Sequence, residues 1–317
     1  MARTVNKHSG RILRFLVVFL WIGLWVCPLG WTAERLRIGV LPVVDTLPLW
    51  VAKERGLFEA NGLDVELMSF DSALERDAAL QAGKLEGYFG DLLNTVLLIR
   101  SGQPIRIVTV AYHTDVDRRM FGLALAPGSD IDRPEHLVQR TIGISRATVI
   151  EFLLDRMLTA AGVPKGRIEK QDIKKIPIRM QLLLSGQIAA ALLPEPLLSL
   201  AESRGARVLL DDRRLDLTET VIALKTNWIE TDPGRLARFR TAYAKSVETI
   251  RQEPEAMIDI LIRRCRLPSE QSAAFRPPAF PASELPSSRD IDLVQKWLIE
   301  NRMLDTPLNE RDLVFAQ

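Results

Sequence analysis

The chain has 317 residues, 47% apolar and 26% charged, with a net charge of +2, the balance of a globular protein rather than a disordered or fibrous one. Its 42 Lys and Arg face 40 Asp and Glu, and no basic stripe is interleaved with aromatics, so no large positive field is present for nucleic acid. Two cysteines and three histidines without a shared cluster argue against a zinc or other His-based metal site.

At the N-terminus, Arg3, Lys7, Arg11 and Arg14 precede an apolar run over 15–26, and no acid occurs before Glu34. A basic stretch ahead of about a dozen apolar residues is the pattern of a secretory signal peptide. At 1.5 Å per residue such a run is shorter than the ~30 Å hydrocarbon core, which places an uncleaved membrane anchor second. Residues 1–33 are therefore expected to be a signal peptide, cut after Ala33. Losing four basic residues and no acidic ones from 42 and 40 leaves 38 against 40, a net charge of −2. Only Cys265 remains, so no intrachain disulfide is possible, which fits an exported protein of a bacterial periplasm.

From residue 35, short β-rich runs alternate with helix-period segments, the signature of an α/β fold. Strands are predicted at 36–41, 63–68, 86–89, 105–112, 121–126, 141–145, 188–193, 206–210 and 218–224. Helices are predicted at 47–55, 73–82, 92–101, 148–161, 178–185, 196–203 and 234–251. Gly56, Gly83, Gly102, Gly162, Gly186 and Gly205 stand where left-handed caps would end six of these helices. Further on, 234–264 reads as two helices broken at Glu253-Pro254, followed by a proline-rich strap through Pro286 and a terminal helix over 290–301. Ala79-Leu-Gln-Ala-Gly-Lys-Leu-Glu-Gly87 is echoed about a hundred residues later by Gln181-Leu-Leu-Leu-Ser-Gly-Gln-Ile-Ala-Ala190. Two α/β lobes of similar plan would produce that echo, as would coincidence between two ordinary turns.

Several motifs together carry a resemblance. Pro48-Leu-Trp-Val-Ala52, Gly56-Leu-Phe58, Gly62-Leu-Asp-Val65, Leu80-Gln-Ala-Gly-Lys-Leu-Glu86, Gly102-Gln-Pro-Ile-Arg-Ile-Val108, Leu184-Ser-Gly-Gln-Ile-Ala189 and Glu195-Pro196 follow one another over about residues 35 to 250. In this the chain resembles the substrate-binding proteins of ABC importers, in the nitrate/sulfonate/taurine and thiamine-precursor group. It departs from that pattern at Glu86 and Ala189, where the group's repeats carry Asp. The resemblance implies a two-lobed periplasmic-binding-protein-like fold, each lobe a mostly parallel sheet flanked by helices, joined by a two-strand hinge. Lobe 1 would hold 34–112 with 218–317, and lobe 2 would hold 113–217. It also implies a monomer that captures a small solute and docks on an inner-membrane permease with its ATPase, without a cofactor of its own.

In open α/β sheets, ligands lie beyond the carboxyl ends of strands, where helix N-termini present free N–H groups. The junctions here carry Asp45, Thr46 and Leu47 after the first strand, Gly90 and Asp91 after Phe89, Ser145, Arg146 and Thr148 after Ile144, and Glu195 after Pro194; His113 falls at a hinge crossing. These ten residues are the candidate ligand site. Each short polar residue among them is equally a plausible N-cap, and His113 equally a structural histidine. Arg146 at a helix start opposes the macrodipole unless a carboxylate or anion sits beside it. Asp45, Asp91 and Glu195 suit N–H donors, whereas Ser145, Arg146 and Thr148 suit an anionic end. An aminosulfonate, or an aminopyrimidine precursor of thiamine, meets these demands. No P-loop, strand-anchored G-x-G-x-x-G, G-x-S-x-G or H-E-x-x-H is present, so a binder is expected rather than an enzyme. A pyrimidine-processing enzyme of the same fold and the sensing domain of an anchored regulator are the alternatives.

Overall fold

The β-rich runs sort into two five-stranded sheets of the same plan in the computed structural model, which describes residues 35–232 and 234–316. The expected signal peptide lies outside the described residues. In chain order the strands are β1 Leu36–Val40, β2 Val65–Ser69, β3 Gly87–Asp91, β4 Ile105–His113, β5 Phe121–Leu125, β6 Thr141–Ile144, β7 Glu169–Asp172, β8 Ala190–Pro194, β9 Arg207–Asp211 and β10 Thr218–Lys225. The first sheet runs β2-β1-β3-β10-β4 and the second β7-β6-β8-β5-β9. In each, three parallel strands are completed by an antiparallel fourth, and in each that fourth strand is the first one laid down after the chain crosses from the other sheet.

The helices are α1 Leu47–Glu54, α2 Leu57–Ala60, α3 Ala73–Gln81, α4 Leu92–Arg100, α5 Val149–Ala160, α6 Ile176–Leu184, α7 Leu197–Ser203, α8 Thr226–Thr231, α9 Arg235–Gln252, α10 Ile258–Cys265, α11 Ser288–Glu300 and α12 Glu310–Leu313. All six cap glycines have positive φ, from +68° to +93°, a region that costs glycine nothing and other residues a Cβ clash. One strand and three helices were not legible. β7, Glu169-Lys-Gln-Asp172, is a polar edge strand with no apolar alternation to reveal it, and α2, α8 and α12 span one or two turns. α6 starts two residues earlier than expected because Pro177 sits in its first turn, where a missing N–H costs nothing.

The chain crosses between sheets over 114–120 and returns over 212–217. The crossings are tied together. Thr114 N–H donates to Leu217 O and Leu217 N–H to Thr114 Oγ1, both at 2.9 Å. Asp212 Oδ2 accepts the Met120 and Phe121 N–H groups at 2.9 and 2.8 Å. The proline strap covers edge strand β4, with Val110 N–H donating to Glu284 O at 2.7 Å, and Phe315 N–H donates to Ile107 O at 2.9 Å on the same strand. Both contacts satisfy an edge that would otherwise offer unpaired groups. Glu86 accepts three hydrogen bonds from Arg37, through its backbone N–H, Nε and Nη2, at 2.7–3.0 Å, so its longer side chain is used within the first sheet. Among the described residues no helix is long and apolar enough to cross a membrane.

Candidate functional site

Strand ends from both sheets converge on a cavity of about 60 Å³. Since one buried water needs ~10–15 Å³ of such space, this is room for about four to six water-sized groups. The first sheet contributes Asp45 from the loop after β1, Gly90 and Asp91 from the end of β3, and Thr220 from β10; the second contributes Ser145 and Thr148 from the turn between β6 and α5. The helix beginnings hold these side chains in place. Asp91 caps α4, its Oδ1 accepting Asn94 N–H at 2.6 Å. Thr148 caps α5, its hydroxyl accepting Ile150 N–H at 3.3 Å and donating to Ser145 O at 2.8 Å. Five of the ten candidate residues, Asp45, Gly90, Asp91, Ser145 and Thr148, thus meet around one space.

The carboxylates in that space are buried. Asp45 is 1% exposed; burial pushes its pKa up to about 7, with the Thr220 hydroxyl, which donates to Oδ2 at 2.9 Å, working against the rise. Its Oδ1 is buried without a hydrogen-bond partner. Burial also raises Asp91, to about 6, against the N–H groups of Asn94 and Val149 and the charge of Arg76. Val149 opens α5, so the Asp91 carboxylate draws on helix starts of both sheets. On β10, Glu219 has both carboxyl oxygens buried without partners, and burial, then Asp212 and Asp45, drive its pKa well above the carboxylate range.

Two arginines that the sequence reading did not single out also line the cavity: Arg76 of α3 and Arg179 of α6. Both are fully buried. Their signal lay in the internal echo, which extends upstream from the glycine turns: Arg179 follows Arg76 by the same interval that separates α6 from α3. Each guanidinium hydrogen-bonds a strand carbonyl, Arg76 Nη1 reaching Phe89 O at 2.8 Å and Arg179 Nε reaching Leu192 O at 2.9 Å.

The other five candidates do not line this cavity. Thr46 turns its hydroxyl to Val43 O at 2.8 Å and lies 3.8 Å from Cys265 Sγ, and Leu47 is core. His113 Nδ1 sits 3.1 Å from Thr114 O, with Nε2 3.8 Å from Asp216. Arg146 points outward, half exposed. Asp172 accepts its backbone N–H at 3.0 Å, and Glu151 lies 3.5 Å from its guanidinium; this is the carboxylate that answers its unfavourable place on the helix dipole. Glu195 accepts from Arg119 Nε at 3.1 Å and from the Ser199 hydroxyl at 2.9 Å. It borders a second, larger cavity of about 550 Å³. The partition is one residue thick: Val43, Phe121 and Pro194 face the small cavity while Val44, Met120 and Glu195 face the large one. Val44 N–H donates to Glu195 O at 3.3 Å within that partition.

Two sheets of like topology, two crossings and a cavity between strand ends define the periplasmic-binding-protein fold. The chain belongs to the NMT1/THI5-like family, whose model matches residues 44–257. It is 27% identical over 243 residues to the nitrate import ATP-binding protein NrtC of Synechococcus elongatus, a match covering 68% of this chain and 35% of NrtC; the chain spans about a third of the length of that relative. Among solved structures, the periplasmic aliphatic sulphonate binding protein SsuA of Escherichia coli superposes with a TM-score of 0.76 at 18% identity, over 89% of this chain and 92% of SsuA. The zinc-bound ligand-binding component of an ABC-type import system from Staphylococcus aureus gives 0.74 at 17%, over 89% and 96%. The desulfurization enzyme DszB gives 0.66 at 16%, over 88% and 96%. At these identities the likeness establishes the fold.

Proposed function

We propose that the protein is the solute-binding component of an ABC import system, taking a small polar molecule between its lobes and delivering it to a membrane permease driven by a partner ATPase. The observation that supports this best is the cavity itself, walled from both sheets by strand ends and capped helix beginnings. We assign lobe 1 to 34–112 with 218–317 and lobe 2 to 113–217, export through the 1–33 segment to the periplasm, and action as a monomer. Lobe closure requires a solute with higher affinity for the closed arrangement. Asp45 and Asp91 suit N–H donors, and Ser145 and Thr148 offer hydroxyls. An aminosulfonate and a thiamine-precursor aminopyrimidine are the two solute classes we propose for it.

Binding without chemical change fits the wall's composition, because among the described residues no cysteine or histidine lines the cavity. Cys265 is fully buried, its thiol pushed up to about 12 by that burial, so it is a poor nucleophile. The reading is tested on full-length protein purified without added solute. Mass spectrometry of small molecules released on denaturation should find one polar compound, and adding it back should compact the protein in small-angle scattering. A released lipid or dicarboxylate, or turnover of the compound in solution, would overturn the reading.

A further inference from the structure

Arg76 and Arg179 are copies of one structural device. Each lies in the first turns of its helix with its aliphatic stem against the glycine of a central strand. A Cβ added to Gly39 would lie 2.9 Å from Arg76 Cγ, and one added to Gly143 would lie 3.2 Å from Arg179 Cγ. Leu85 and Ile188 flank the two stems alike, and each guanidinium binds a carbonyl of the next strand. The copies differ in one respect. In the first lobe Asp77 neutralises Arg76, with Oδ1 accepting from Nε and Nη2 at 2.9 and 2.7 Å. In the second lobe the residue after the arginine is Met180.

Arg179 is left with Leu192 O and with Ile173 O, the latter at 2.7 Å from Nη1. Among the described residues its Nη2 has no hydrogen-bond partner and no carboxylate oxygen lies within 4.0 Å of the guanidinium. A fully buried cation with no carboxylate in contact is expensive to maintain, and burial lowers this guanidinium to about 10 against the more distant charge of Asp172. On the facing lobe, Asp45 Oδ1 is buried and equally without a partner. Both groups line the same cavity yet do not pair with each other.

We propose that Arg179 is the anion-receiving residue of the cleft, and that the solute is bipolar, setting acid oxygens on Arg179 Nη2 and an N–H donor on Asp45 Oδ1. The solute's anion thereby takes the place in the second lobe that Asp77 occupies in the first. This rests on the solute-binding reading and narrows it: an aminopyrimidine without an acidic group falls out, and a short amino acid of sulfonate or carboxylate type remains.

The test is titration calorimetry on the full chain, stripped of bound solute, with taurine, β-alanine, ethanesulfonate and 4-amino-5-hydroxymethyl-2-methylpyrimidine. Taurine or β-alanine should bind, which of them stating whether sulfonate or carboxylate is preferred, and ethanesulfonate at least ten-fold more weakly. Arg179→Lys should lower that affinity at least ten-fold. Met180→Asp, which offers Arg179 the internal carboxylate that Arg76 has, should do the same, and because Met180 is itself buried its melting is measured alongside and only binding by folded protein counts. Binding of the pyrimidine as tight as that of the zwitterions, or zwitterion binding unchanged in Met180→Asp and Arg179→Lys, would overturn the role of Arg179 and leave the solute-binding reading standing. If none of the four probes binds and no small molecule co-purifies, both fall.

Discussion

The indole N–H of Trp297 donates to Asp155 Oδ2 at 3.1 Å, joining α11, which packs with α4 against the first sheet, to α5 of the second. Phe152 meets the same indole edge to face at 5.8 Å, and Lys170 Nζ lies 2.8 Å from the other Asp155 oxygen. The contact bridges the lobes away from the cavity, so it bears on how readily they part. Trp297→Phe keeps an aromatic ring beside Phe152 and deletes the donor. A hydrogen bond to a charged acceptor contributes about 1.5–3 kcal/mol, and solute affinity should fall about ten-fold, since each 1.4 kcal/mol is a factor of ten. Calorimetry with the co-purified solute checks this; unchanged affinity would remove the contact from closure.

Asp91 combines a cap with a place in the cavity wall. Asp91→Asn keeps an oxygen for Asn94 N–H and removes the charge, whereas Asp91→Ala removes both. The alanine variant should lose about 1 kcal/mol of stability, the usual worth of a cap, and the asparagine variant less. Both should weaken solute binding. Chemical denaturation measures the first effect and titration the second; two variants that bind as the wild type does would take Asp91 out of the site.

Gly143 sits under the Arg179 stem. A Cβ there would fall 2.6 Å from Ile188 Cδ1 and 3.2 Å from Arg179 Cγ, so Gly143→Ala forces either side chain to move. Overpacking of this kind costs about 1–3 kcal/mol. Solute affinity should drop alongside the melting temperature, because the displaced stem carries the guanidinium that faces the cavity. A variant that melts lower yet binds unchanged would show that Ile188 alone gives way.

Much of this architecture is legible from local physics. A strand-like run, a helix-period segment and a glycine at a left-handed cap follow one another five times, a sixth helix ends at such a glycine without a legible strand before it, and each of the six glycines proved to have the positive φ that its position demands. Asp45, Asp91 and Thr148 were visible because a short polar residue at a strand-to-helix junction marks a helix start, and helix starts line this fold's cleft. Arg179 was not visible, since an arginine inside an amphipathic helix reads as solvent-facing and only tertiary packing buries it. Arg146 drew attention for a sound electrostatic reason, but Glu151, one turn into the same helix, already supplies the opposite charge. The strand β7 escaped because edge strands need no apolar face.

The hinge side of the cavity makes stability depend on pH. Asp45 and Asp212 are both pushed up to about 7, in each case first by burial, from an unfolded value near 3.8, and burial raises Glu219 well above its ordinary range as well. A carboxyl whose folded pKa is raised stabilises the fold fully below its unfolded pKa, and that contribution is lost as pH climbs towards the folded value. Between about pH 4 and 7 the unfolded chain has released these protons while the folded one holds them, so the melting temperature should fall across that window. Acids with lowered values, such as Asp172 and Asp211, act in the opposite sense and at more acidic pH, and do not mask the trend. Asp45→Asn keeps an acceptor for Thr220 and removes one titrating group. It should leave stability at pH 4 unchanged and raise it at pH 8 by about 1–3 kcal/mol, since a carboxyl loses at most about 1.4 kcal/mol for every pH step between its unfolded and folded pKa. Denaturant titrations of both proteins at the two pH values decide it: a gain of equal size at pH 4 would mean that Asp45 destabilises through its shape rather than its charge.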